Sequence, residues 1–90
     1  MFYVYILKSA KDRKLYFGYT RDLRKRLKQH NAHCSFSTKP RAPFRLIYYE
    51  AYASMPDAKK RENNLKLQAN ALNQLKRRIT NSLNSLGVGV

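Results

Sequence analysis

Between Leu15 and Asn31, LYFGYTRDLRKRLKQHN, a short aromatic strand runs into a glycine and a strongly basic helix follows at once. On a helical wheel Leu23, Leu27 and His30 share one stripe, Arg26 stands at its edge, and Arg21, Arg24, Lys25 and Lys28 face outward. Arg26 is therefore expected at the seam where the helix meets its packing partner, with its basic neighbours in solvent. Tyr16 on the strand, then Gly18, then an arginine at that seam make a frame for a phosphate site. The rest of the chain reads as support for that frame.

Upstream, Phe2–Ser9 (FYVYILKS) is β-branched and aromatic, and predicts a strand. Alternation puts Tyr3, Tyr5 and Leu7 on one face and Phe2, Val4 and Ile6 on the other, so both faces are expected to be covered. The polar run AKDRK, residues 10–14, has hairpin length, and Leu15–Thr20 returns antiparallel. Glycine inside a strand weakens pairing and marks a bulge or a close approach, so Gly18 is singled out. Thr20 is the expected N-cap of a helix over residues 21–31, with Asp22 in its first turn complementing the dipole.

Downstream, AHCSFSTKPRAP (residues 32–43) reads as a loop of a length that is often functional, and residues 44–53 as a third strand. Ser54-Met-Pro-Asp57 opens a helix, with serine as N-cap and proline early in the first turn. Its expected inward stripe is Met55, Ala58, Glu62 and Leu65. A last amphipathic segment, about residues 68–86, sets Leu72, Leu75, Ile79, Leu83 and Leu86 at spacings of three and four, and ends at Gly87. The order β-β-α-β-α-α predicts an α+β fold, a small three-stranded antiparallel sheet flanked by helices, in one domain over residues 1–90.

With 19 Lys and Arg against 5 acids, the net charge is +14 on a 90-residue chain. Polyanions are the natural partners of such a field, nucleic acid foremost, with an anionic membrane surface or simple solubility as alternatives. No apolar run reaches the length of a membrane span, and MFYVYILKS lacks the pattern of a signal peptide. The single Cys34 rules out an internal disulfide framework and fits a reducing cytoplasm. Nothing in the sequence specifies a protein partner.

Four of the five acids have ordinary explanations: Asp12 lies in a turn, Asp22 and Asp57 in helix first turns, and Glu50 late in a strand. Glu62 faces inward, and a buried carboxylate requires a partner. That partner is Lys66 one turn on, or an arginine from elsewhere, or a hard divalent cation bound through one carboxylate with water and phosphate. Taken singly, Tyr3, Tyr5 and Tyr16 are packing residues and Arg26 a surface cation. His30, His33 and Cys34 make a poor tetrahedral zinc set.

Set side by side, these residues make the chain resemble the GIY-YIG nuclease superfamily, in particular its small stand-alone bacterial members. Tyr3-Val4-Tyr5 is similar to the Gly-Ile-Tyr signature, with Tyr3 in the glycine's place, and Tyr16-Phe17-Gly18 to Tyr-Ile-Gly. Arg26 holds the arginine position in the helix that follows, and KKRENNLK carries Glu62. The resemblance covers about residues 2–66.

It implies a metal-dependent endonuclease that hydrolyses DNA phosphodiester bonds, in repair or recombination. Glu62 would ligate the divalent metal, Mg2+ or Mn2+, and Arg26 would steady the scissile phosphate or the attacking water. Tyr5 and Tyr16 would frame the site, one of them acting as the base or orienting that water. His30 is a second candidate for proton transfer. Gly18 would let the backbone approach closely, and Lys8, Arg21, Arg24, Lys25, Lys39 and Arg41 would meet backbone phosphates. The rival expectation is a non-catalytic nucleic-acid binding module on the same scaffold, for which RNA is also a possible ligand.

Overall fold

A computed structural model describes residues 1–32 and 41–89. The three strands are β1 (Phe2–Ser9), β2 (Leu15–Thr20) and β3 (Phe44–Tyr52). They form one antiparallel sheet in the order β2-β1-β3. The helices are α1 (Leu23–Asn31), α2 (Met55–Leu67), α3 (Ala69–Arg78) and a short α4 (Thr80–Leu83). This is the expected α+β architecture.

The central strand is covered on both sides, as its alternation requires. Tyr5 and Leu7 pack with Leu27 and Phe44 under α1, and Leu23, Leu46 and Tyr16 close the margin. On the opposite face Val4 and Ile6 pack with Ile47, Ala58, Leu65 and Leu75 beneath α2 and α3. The four consecutive residues Val4–Leu7 are almost fully buried. Each such side chain stabilises the fold by about 1.5–3 kcal/mol through removal from water.

Strand β3 serves both faces because its register slips between Ile6 and Leu7 of β1. Ile6 pairs with Tyr48 and Leu7 with Leu46, leaving Ile47 as an extra residue. The bulge turns Phe44 and Leu46 toward α1, and sends Ile47, Tyr48 and Tyr52 into the other cluster.

Several local expectations are corrected. Thr20 is not the cap of α1: it still pairs with Tyr3 in the sheet. The cap is Asp22, whose Oδ1 accepts from the Lys25 N–H at 3.0 Å. Thr20 Oγ1 instead accepts from the Asp22 N–H, tightening the strand-to-helix turn. Ser54 caps α2 without a side-chain hydrogen bond, and Met55 is exposed. The final amphipathic segment is two helices, broken at Ile79. Leu86 is exposed, and beyond it Gly87, at φ 75°, turns the chain so that Val88 pairs with Leu46. A left-handed φ of this kind favours glycine.

Candidate active site

The site is built around Tyr5, whose partner across the β1–β2 ladder is Gly18. A Cβ on Gly18 would lie within the phenol, 2.5 Å from Tyr5 Cζ. Absence of a side chain thus lets the Tyr5 ring lie across the edge strand. From there its hydroxyl reaches His30 Nε2 on α1 at 3.0 Å. His30 is fully buried, one turn after Leu27 on the stripe the sequence predicts.

Tyr16 closes the cluster from β2. Its ring stands edge-on to His30 with centroids 5.0 Å apart, and lies 6.4 Å from Tyr5. Phe44 forms the remaining wall, 5.9 Å from His30 and 6.2 Å from Tyr16. Asn31 holds Phe44 there: its amide donates to the Phe44 carbonyl at 2.9 Å and accepts from the Phe44 N–H at 2.5 Å.

Burial and the guanidinium of Arg26 set the protonation states. Burial raises the Tyr5 phenol to about 12, against the pull of an Arg26 hydrogen bond. His30 is lowered to about 4, first by burial and then by the Arg26 charge. At neutral pH the phenol therefore keeps its proton and the imidazole is neutral. With the imidazole proton on Nδ1, Tyr5 donates to Nε2, while Arg26 donates to the phenol oxygen. Arg26 also donates to Gln29 Oε1 at 3.1 Å.

Glu62 comes from α2, which packs against β1 and β2. It is 8% exposed, and its charge acts on the Tyr5 phenol alongside those of Arg26 and Tyr16. Lys66 Nζ lies 3.3 Å from Glu62 Oε2, the i,i+4 pair weighed from sequence. Among the described residues no group of three or more His, Cys, Asp or Glu gathers to hold a metal. A single hard carboxylate fits Mg2+ or Mn2+, which take one carboxylate and fill the other positions with water and phosphate oxygens.

The sequence reading missed the anchor of α2. Glu50, taken there as an ordinary late-strand acid, accepts from Arg61 Nε at 3.1 Å and from Nη2 at 3.1 Å. It also accepts from the hydroxyls of Tyr48, at 2.6 Å, and Tyr52. Burial works to raise the Glu50 carboxyl, but Arg61 and the two phenols outweigh it and hold it below the usual carboxylate range. Arg61 immediately precedes Glu62, so this fork fixes the turn of α2 that carries the site carboxylate. The recoverable signal was a phenol two residues to either side of Glu50, on one strand face. Asn31 and Phe44 had no such signal, since their contact joins the helix end to a strand beyond the loop.

The expected phosphate contacts divide. Arg24 and Lys25 are exposed on α1, and Arg21 lies with its guanidinium 5.5 Å from the Phe2 ring centroid. Arg41 borders the site, stacked over Phe44 at 5.5 Å, bonded to the Leu15 carbonyl and paired with Asp12 at 3.1 Å. Lys8 is not brought to the site: it donates to the Leu83 carbonyl at 2.8 Å, at the end of α4. Lys39, with His33 and Cys34, lies outside the described residues.

Residues 1–76 match the family described as the GIY-YIG catalytic domain. The chain is 45% identical over 67 residues to a UPF0213 protein of Clostridium perfringens, covering 73% of this chain and 71% of that protein. To a UPF0213 protein of Staphylococcus saprophyticus it is 42% identical over 65 residues, 71% of this chain and 78% of the relative. The solution NMR structure of a UPF0213 protein from Bacillus halodurans superposes with a TM-score of 0.55 at 33% identity. That alignment covers 98% of this chain and 99% of the other.

Proposed function

From the premise that the chain belongs to the GIY-YIG catalytic domain family, a nuclease family, we propose that it is a metal-dependent endonuclease hydrolysing DNA phosphodiester bonds, with residues 1–90 acting as one domain. The observation that carries this reading is the convergence of Tyr5, Tyr16, Arg26 and His30 on one cluster within reach of the inward Glu62 charge. Binding alone requires no such carboxylate.

Glu62 would hold Mg2+ or Mn2+, which when bound neutralises phosphate charge and lowers the pKa of coordinated water. Arg26 supplies a fixed cation for the charge that develops on the phosphoryl oxygens. Tyr5, protonated at rest and held between Arg26 and His30, is an orienting donor in the ground state. It becomes a base only when its proton leaves, and a cation at the site moves its pKa downward. His30, neutral and in contact with the phenol, is the group placed to relay that proton. Tyr16 supports the ring cluster from the opposite side. DNA is the proposed substrate, in repair or recombination, in a reducing cytoplasm. Among the described residues, no helix is long and apolar enough to cross a membrane.

The Glu62–Lys66 pair favours a second reading, a nucleic-acid binding module whose carboxylate is already neutralised. The experiment is nicking of supercoiled, flapped and branched DNA with Mg2+ or Mn2+ by wild type, Glu62→Gln and Arg26→Ala. The expected result is cleavage by wild type, none by Glu62→Gln, and a loss of about 10²–10³ in rate for Arg26→Ala. Salt-sensitive binding with no cutting by any of the three would overturn the nuclease and leave the binding module.

A further inference from the structure

A cleft of about 920 Å³ lies on the flank of α1 facing β3, beside the Tyr5–His30 cluster. Its aromatic part is Tyr3 on β1 and Tyr49 on β3, with ring centroids 5.8 Å apart and planes at 67°. Arg21, Arg24 and Lys28 line it as cations. The carboxylate beside them, Asp22, is engaged in capping α1.

Two properties define what such a cleft receives. Tyr49 is 52% exposed, a large aromatic ring open to solvent yet braced edge-on by Tyr3. The rim is cationic, so the ligand is anionic. An open ring with arginine and lysine beside it is a platform on which a nucleobase stacks while its phosphates meet the cations. In a duplex both faces of each base are covered by its neighbours, so only an unpaired nucleotide presents a face.

We propose that this cleft binds a single-stranded segment of nucleic acid, with a base stacked on Tyr49 and its phosphates on Arg24 and Lys28. The inference rests on the nuclease reading for its relation to the active site. Tyr3 and Tyr5 lie on the same face of β1, two residues or about 7 Å apart, so the cleft adjoins the cluster along the strand. The substrate class is then DNA with an unpaired stretch next to the bond that is cut.

The test is fluorescence anisotropy with excess chelator, so that binding is read without cleavage. Three labelled ligands of equal phosphate count are used: a mixed-sequence oligonucleotide, its duplex, and an abasic oligonucleotide lacking the bases. The abasic ligand is expected to bind at least about 5-fold more weakly than the normal strand, because a stacked base contributes about 1–3 kcal/mol. Tyr49→Ala is expected to lose that same factor for the normal strand, with duplex affinity unchanged, and Tyr49→Phe to retain it. Equal binding of normal and abasic strands, or Tyr49→Ala binding like wild type, would overturn the cleft. The nicking comparison of wild type and Glu62→Gln decides the nuclease separately: cleavage with no stacking preference sinks only the cleft, and stacking with no cleavage sinks only the enzyme.

Discussion

His30 concentrates the pH behaviour of the site in one side chain. An unfolded histidine takes its proton near pH 6.5, whereas here burial and Arg26 delay protonation to about pH 4. Between those values the unfolded chain binds more protons than the folded one, so stability rises with pH across that window. It is fully present above about 6.5 and is lost as pH falls toward 4. The loss amounts to about 3 kcal/mol. Denaturant titrations from pH 7 to pH 4 should show that decline, and His30→Gln should flatten it. A histidine titrating near 6.5 in the folded protein would refute the assignment. At this scale the motif residues were legible because their spacing on strand and helix is local: Tyr5, Tyr16, Gly18 and Arg26 lie where the pattern puts them. The protonation states of Tyr5 and His30 were not legible, since these depend on burial among Phe44 and Leu27, which only the folded chain brings together.

At the scale of elements, α2 is held by the Glu50–Arg61 fork beside a short apolar stripe, Ala58 and Leu65, that Glu62 interrupts. Both members of that fork are mostly buried, with side-chain exposures of 17% and 24%. Glu50→Ala strands a guanidinium and two phenols, and should cost about 2–4 kcal/mol by denaturant unfolding. Asp12→Ala removes a more exposed pair with Arg41 and should cost clearly less. If the two losses are equal, the anchoring role of Glu50 is refuted. Strand and helix existence followed from alternation and helical period, but the caps did not. Thr20 and Asp22 are both good capping residues, and the choice between them was made by a sheet partner, Tyr3, distant in sequence. The break at Ile79 likewise separates two helices whose leucine spacing reads as continuous.

On the whole molecule, the positive charge is spread widely but its uses differ by place. Lys8 and Arg41 are held by carbonyls or a carboxylate, while Arg24, Lys25 and Lys28 stand exposed along α1. Affinity for duplex DNA should therefore fall at least tenfold between about 50 and about 200 mM salt, and Arg24→Ala should reduce the log–log slope by about one. Lys8→Ala should leave that slope unchanged and lower thermal stability instead. A slope equally reduced by both would mean that Lys8 leaves the Leu83 carbonyl to meet phosphate. Ile47, the extra residue in β3, gives this layout its parity. Phe44 and Leu46 before it count in one phase, and Tyr48, Glu50 and Tyr52 after it in the other, so a single strand is read by two faces at once. Removing that one residue would leave the frame intact: Leu46 and Tyr48 would become neighbours, still opposite Leu7 and Ile6, and Glu50 would keep its face beside Arg61. What the cut would take is the Ile47 side chain from the core beneath α2, a hole in one layer with the ladder made regular above it.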